Sequence, residues 1–220
     1  MERAPQELHE VPAPLLPVQP AQAGSAADWR RGLPALTGAR VALRELRLDD
    51  ATALCAAMST GDVTQFLSPP PTSIAGFERF IEWALRQRAV GQYVCFAVTP
   101  RGSDQAIGLF QVRSLEPDFG NAEWGFALAS EFWGTGMFMD AAQLVVDFAF
   151  DVIGARRLEA RAVVKNSRGN GALRKLGAVQ EGILRRSFLR HGEQFDQVLW
   201  TILGDEWRDS RRGWFSATIH

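Results

Sequence analysis

From residue 121 to residue 164 the chain changes its apolar period twice. NAEWGFALAS (121–130) alternates like a strand. Past Gly134 and Gly136, the residues Met137, Ala141, Leu144, Val145, Phe148 and Ala149 fall on one stripe of a long helix. RRLEARAVV (156–164) then reads as a second, buried strand. Strand, helix, strand in this order is the pattern of a parallel crossover, because parallel neighbours cannot be joined by a tight turn. Upstream, QYVCFAVTP (92–100) and AIGLFQVRSL (106–115) are strand-like, and the turn-forming runs PRGSDQ and EPDFGN separate them from each other and from 121–130. That is an antiparallel meander. A chain holding both must build a mixed sheet.

The remaining elements extend this plan. ARVALREL (39–46) alternates as a strand, and DDATALCAAMS has Asp49 or Asp50 to cap a short helix. SPPPTS (68–73) must be a loop, since proline lacks the N–H a helix needs. Phe77, Phe80, Ile81, Ala84 and Leu85 mark an amphipathic helix that ends at Gly91. SRGNGALRKLG (167–177) is a short helix closed by Gly177, and two long strands follow, joined through HGE. The predicted architecture is α+β in α/β/α layers. Its sheet is mixed, mostly antiparallel and strongly twisted, of about seven strands with helices on both faces. Residues 1–32, rich in Pro and Ala, read as a flexible leader, 33–208 as a single domain, and 209–220 as a C-terminal tail.

Composition removes several classes of function. There are 24 Lys and Arg against 25 Asp and Glu, both signs dispersed, which argues against a nucleic-acid surface. No apolar run is long enough for a membrane span, and the acidic, proline-broken start is unlike a secretory signal, so a cytoplasmic protein is expected. Cys55 and Cys95 lie in apolar segments, and His9, His191 and His220 have no metal-ligand spacing. No metal is expected.

The two glycines pose a problem of their own. Each costs a helix start roughly 1 kcal/mol relative to alanine. Two explanations stand: a tight turn that needs glycine dihedrals, or an anion site. At a helix start several backbone N–H groups lack partners and the dipole adds positive charge, so a side-chain-free turn lets a phosphate approach. WGTGMF lacks the third glycine of a dinucleotide fingerprint, that position being Met139, and lacks the Gly-Lys-Ser/Thr of a nucleotide-triphosphate loop.

FALASEFWGTGMFMDAA together with NSRGNGALRKLGAVQEG (166–182) resembles the GNAT superfamily of acyl-CoA-dependent N-acyltransferases, and within it the RimJ/RimL branch. The likeness spans 39 to about 208. It implies a GNAT-like fold and acetyl-CoA as co-substrate, with transfer of an acetyl group to a primary amine on a protein N-terminus or small molecule. Backbone N–H groups across Trp133, Gly134, Thr135, Gly136, Met137 and Phe138 would hold the CoA pyrophosphate. Phe126 and Leu128 would pair with the pantetheine arm as an added strand, Asn166 would hydrogen-bond that arm, and Asn170 would assist. Trp133 stands where the family's turn usually begins with a polar residue, and Phe138 where a small one is usual. A monomer or homodimer is implied.

Direct attack by the amine needs a base and needs no nucleophilic side chain. Glu123, in the otherwise apolar AEWGF, is the first candidate, the alternative being a structural carboxylate bonded to Arg. Glu159, in RLEAR, is second, with an ion pair to Arg157 or Arg161 as the alternative. A tyrosine that many members carry seven residues past the asparagine is here Leu173, and the branch's serine three residues past it is Gly169. That gap gives a non-catalytic acyl-CoA-binding regulatory module as the alternative reading.

Overall fold

The computed structural model describes residues 28–217, so residues 1–27 of the expected leader lie outside the described residues. The chain opens with β1 (Leu36–Thr37) and β2 (Val41–Glu45), followed by the helices α1 (Asp50–Ala57), α2 (Gly61–Thr64) and α3 (Ile74–Ala89). The meander is β3 (Tyr93–Pro100), β4 (Gly108–Ser114) and β5 (Asn121–Leu128). Helix α4 (Met137–Phe148), extended by a π turn over Ala149–Ile153, leads to β6 (Arg157–Val163), and α5 (Ser167–Leu176) to β7 (Val179–Arg190) and β8 (Glu193–Leu203). Helix α6 (Gly204–Ala217) closes the described chain.

One sheet takes the order β1-β2-β3-β4-β5-β6-β8-β7. Every neighbouring pair is antiparallel except β5 with β6, the parallel pair expected from the crossover. Helices cover both faces. On one, α4 and α5 pack over Leu43, Phe96, Phe110, Trp124, Leu158 and Trp200. On the other, Leu54 of α1 with Phe77 and Ile81 of α3 cover Tyr93, Cys95 and Ala97. β3 lies between both layers, and seven of its eight residues are buried, which is why QYVCFAVTP shows an almost unbroken apolar run.

Local chemistry sets the ends of the elements. The Ser73 hydroxyl accepts from Gly76 N at 3.1 Å and caps α3. Gly177, at φ +98°, terminates α5 in the left-handed conformation. His191 and Gly192, both at positive φ, make the two-residue turn between β7 and β8.

Two expectations need correction. Domain packing starts before residue 33: the Trp29 ring is 5 % exposed and meets Phe119 edge-on at 5.6 Å. Residues 209–217 of the expected tail are instead part of α6, which is tied to α4 by Trp207 Nε1 donating to Asp147 Oδ1 at 2.8 Å and by an Arg211–Asp147 ion pair; residues 218–220 lie outside the described residues. The mixed, mostly antiparallel sheet expected with about seven strands is present, with eight when the two-residue β1 is counted. Too short to carry an alternating pattern, β1 exists because β2 pairs with it.

Candidate active site

The sheet is split along its middle. β5 and β6 are in register at Asn121↔Arg157, Ala122↔Leu158 and Glu123↔Glu159, and there pairing ends. β5 stays with β4 through Leu128 and β6 stays with β8 through Val163, so the two halves of the sheet diverge beyond Glu123. The open edge of β5 can be assigned by period. Asn121 O accepts from Leu115 N, and Ala129 N donates to Ile107 O, so odd-numbered residues turn their main-chain groups toward β4. Trp124, Phe126 and Leu128 therefore turn theirs into the split.

Two cavities meet in this split. One, of about 710 Å³, lies at the start of α4 and α5 and includes Gly134, Gly136, Ser167 and Arg168 in its lining. The other, of about 490 Å³, is lined by Gln111, Arg113, Glu123, Trp124, Arg161 and Leu173 among others. Phe126, Ala127, Asn166 and Gly169 line both, so the space passes through the plane of the sheet.

At the start of α4, Gly134 and Gly136 stand at φ +76° and +86°. Among the described residues, the main-chain N–H groups of Gly134, Thr135, Gly136 and Phe138 have no protein acceptor. Met137 N reaches the Thr135 hydroxyl at 3.4 Å, and that hydroxyl donates to Phe132 O at 2.7 Å, so Thr135 fastens the turn from inside. Trp133 has turned inward as well: its indole N–H donates to Leu128 O at 2.9 Å while the Arg168 guanidinium stacks 3.8 Å above its ring. Leu128 thus retains its N–H for the split, with its carbonyl already engaged. Phe138 packs on Phe110 and Phe126 at 5.7 and 4.6 Å, so its bulk is absorbed by an aromatic cluster where a small residue was expected.

The turn requires left-handed dihedrals, and it leaves donors free. Around them the charge is positive: Lys165, Arg168 and Lys175 line the larger cavity against the single acid Asp62. The Arg40 guanidinium approaches the turn from the β1–β2 connection, within 3.2 Å of where a Cβ on Gly136 would stand. Free amides, a helix N-terminus and these cations fit a diphosphate.

Asn166 and Asn170 divide. Asn166 Oδ1 accepts from Gly169 N at 2.9 Å as the cap of α5, leaving its Nδ2 without a protein acceptor among the described residues. Asn170 is committed internally: its Nδ2 donates to Val163 O at 2.9 Å and Asn166 O at 2.8 Å, and its Oδ1 accepts from Trp200 Nε1 at 2.8 Å. The role expected for Asn170 on the coenzyme is corrected accordingly, because a buried amide with all its groups paired has none to offer a ligand.

The two carboxylates also divide. Glu123 lines the smaller cavity and is ion-paired with Arg113 across the β4–β5 ladder. Glu159 lines neither cavity; it accepts from Arg157 Nε at 3.0 Å, and Arg157 also forks onto both oxygens of Glu181 at 2.7 and 2.5 Å. Hydrogen bonds from Arg157 and then Thr201 hold the Glu181 carboxyl down to about 2. Glu159 is therefore a member of an ion-pair array, which corrects the expectation of it as a second candidate base in favour of the ion pair with Arg157. Leu173, 1 % exposed, leaves no side-chain acid at the position where a tyrosine is usual. Burial pushes the Cys95 thiol up to about 12, so it is no nucleophile. Arg40, Arg113 and Arg168 carry no motif that marks them as site residues in the sequence. Of the three, only Arg168 lies beside a motif residue, two positions past Asn166.

The split parallel pair, the glycine turn and the two joined cavities define a GNAT-type acyltransferase scaffold. Comparison with known proteins agrees: a family model described as "Acetyltransferase (GNAT) domain" matches residues 40–179, and the chain belongs to that family. It is a GNAT-fold N-acetyltransferase. The uncharacterized N-acetyltransferase p20 of Bacillus licheniformis is 27 % identical over 169 residues, covering 76 % of this chain and 95 % of p20. A GCN5-related N-acetyltransferase from Brucella melitensis superposes with a TM-score of 0.68 at 26 % identity, covering 80 % of each chain. Mycobacterium smegmatis RimJ in complex with CoA-disulfide shares the fold, with a TM-score of 0.70 at 20 % identity over 76 % of this chain and 83 % of that one. Among the described residues no His, Cys, Asp or Glu cluster could hold a metal ion, and no helix is long and apolar enough to cross a membrane.

Proposed function

We propose that the chain transfers the acetyl group of acetyl-CoA to a primary amine, the amine entering from the smaller cavity and attacking directly. The observation that carries this is the set of unpartnered amides of Gly134, Thr135, Gly136 and Phe138, open to a cavity that continues into the split sheet. Acetyl-CoA supplies the activated acetyl thioester. The amides of Gly134, Thr135, Gly136 and Phe138 bind its diphosphate, with Arg40 and Arg168 adding charge. The open β5 edge at Phe126 and Leu128 aligns the pantetheine arm, and Asn166 Nδ2 donates to it from the opposite lip. Such strand-like pairing suits an amide-bearing arm because the edge donors otherwise lack partners.

Glu123 takes the proton of the attacking amine through water, with Arg113 holding its carboxylate in place. Leu173 offers no acid where a tyrosine is usual, so positioning within the split carries much of the remaining rate enhancement. The acceptor is a peptide N-terminus, as in the RimJ/RimL branch, or a small-molecule amine. Titration calorimetry with acetyl-CoA, followed by thiol release with a panel of amines, tests the reading. Saturable heat and amine-dependent thiol release are expected; no binding sinks it. Gly136→Val should weaken acetyl-CoA binding by at least about tenfold, since its side chain projects toward Arg40 and blocks the amides. Unchanged affinity in a folded Gly136→Val protein would count against the cradle.

A further inference from the structure

The geometry points to an acceptor that carries an anionic group, a carboxylate foremost, on an apolar body, and away from polycationic amines. This rests on the transferase reading above and narrows its acceptor.

The walls of the smaller cavity are largely apolar, with Phe66, Leu67, Phe80, Trp124, Leu173 and Phe188 among them. Three charged side chains line it: Arg113, Glu123 and Arg161. The one carboxylate, Glu123, is already neutralised by Arg113. Arg161 is a different case. The sequence offers Glu159 two neighbours, Arg157 and Arg161, on the same side of β6. Arg157 takes Glu159 and Glu181 together, and among the described residues Arg161 has no carboxylate partner. Two cations against one anion leave the compartment with a surplus positive charge, and its carrier is a guanidinium with its fork unused.

A guanidinium fork matches a carboxylate in two parallel hydrogen bonds, which gives orientation as well as attraction. The cavity sits on the acceptor side of the split, so an anion held by Arg161 directs the amine of the same molecule toward Glu123. A polyamine or aminoglycoside meets the opposite situation. Its second ammonium finds no unpaired carboxylate in the lining and is repelled by Arg161. The aromatic walls meanwhile favour a hydrophobic side chain over a hydrated one.

The test compares three acceptors at saturating acetyl-CoA: a free aromatic α-amino acid, its carboxamide, and spermidine. Rates are referred to the unprotonated amine, because the carboxamide lowers the amine pKa. The acid is expected to exceed its amide in kcat/KM by about tenfold, and spermidine by more. Arg161→Ala should bring the acid-to-amide ratio to about one, mainly through a higher KM for the acid. Arg161→Glu should shift preference toward spermidine. Because Arg161 is exposed, unchanged acetyl-CoA affinity serves as the check that both variants fold. A wild-type ratio near one, a ratio that survives Arg161→Ala, or spermidine as the best acceptor overturns the inference. So does acetyl-CoA binding without turnover of any of the three. Absence of acetyl-CoA binding would instead remove the transferase reading underneath it.

Discussion

Asn166 and Asn170 stand one helical turn apart and serve different purposes. Asn166 uses its oxygen to cap α5 and keeps its amide nitrogen free at the lip of the split, whereas Asn170 is fully paired beneath it with Trp200. This division can be tested with two substitutions at one site. Asn166→Ala removes cap and donor together and should cost about 1 kcal/mol of stability as well as acetyl-CoA affinity. Asn166→Asp retains a capping oxygen while replacing the donor with an acceptor, so thermal stability should hold and affinity should fall. Denaturation and calorimetry on both variants would separate the roles, and an Asn166→Asp protein that binds as tightly as wild type would deny the donor. Asn166 was legible through the resemblance carried by NSRGNGALRKLGAVQEG, whereas its capping of α5 emerged only from the structure. The burial of Asn170 was not legible, since its partner Trp200 lies 30 residues away on β8.

Between elements, two carboxylates act as latches. Asp140, in the first turn of α4, accepts from Ala39 N at 3.2 Å, Arg40 N at 2.6 Å and Val41 N at 3.0 Å. Gly38 makes this approach feasible, because a Cβ there would stand 2.4 Å from the Asp140 carboxylate. The latch ties the β1–β2 connection to the glycine turn and brings Arg40 beside Gly136. Asp140→Ala should therefore lower stability by about 2 kcal/mol, leaving three main-chain donors without their acceptor. It should weaken acetyl-CoA binding in parallel; stability lost with affinity intact would show that Arg40 does not depend on the latch. The second latch is Glu181, through which Arg157 joins β6 to the edge strand β7. Its folded pKa, about 2, lies below the ordinary 4.5, so the deprotonated form is favoured by folding. The stabilisation is complete above about 4.5 and is lost as pH falls toward about 2. Melting temperatures of wild type and Glu181→Gln should differ at neutral pH and converge across that window, and a gap that persists at pH 2 would exclude the carboxylate as its source.

For the molecule as a whole, the positive field at the larger cavity is assembled from separate parts of the chain: Arg40 from the β1–β2 connection, Lys165 and Arg168 from the entry to α5, and Lys175 from its last turn. Raising salt from about 0.05 M to about 0.5 M should weaken acetyl-CoA binding several-fold through screening, while leaving acetyl-pantetheine, which lacks the phosphates, nearly unaffected. Equal salt dependence for the two would argue against the cation cluster. The sequence by itself determined the mixed sheet, the crossover, and the glycine turn that nucleates α4, because period, turn chemistry and capping are encoded within a dozen residues of where they act. It also placed Asn166 and Glu123 on the correct strands and turns. Tertiary structure alone decided that Arg157 claims Glu159 and leaves Arg161 free, that Asn170 turns inward, that Trp29 and α6 belong to the packed domain, and that β5 and β6 part after Glu123. Each of these outcomes is a competition among partners distant in sequence, and such a competition is resolved by which side chains the sheet brings face to face.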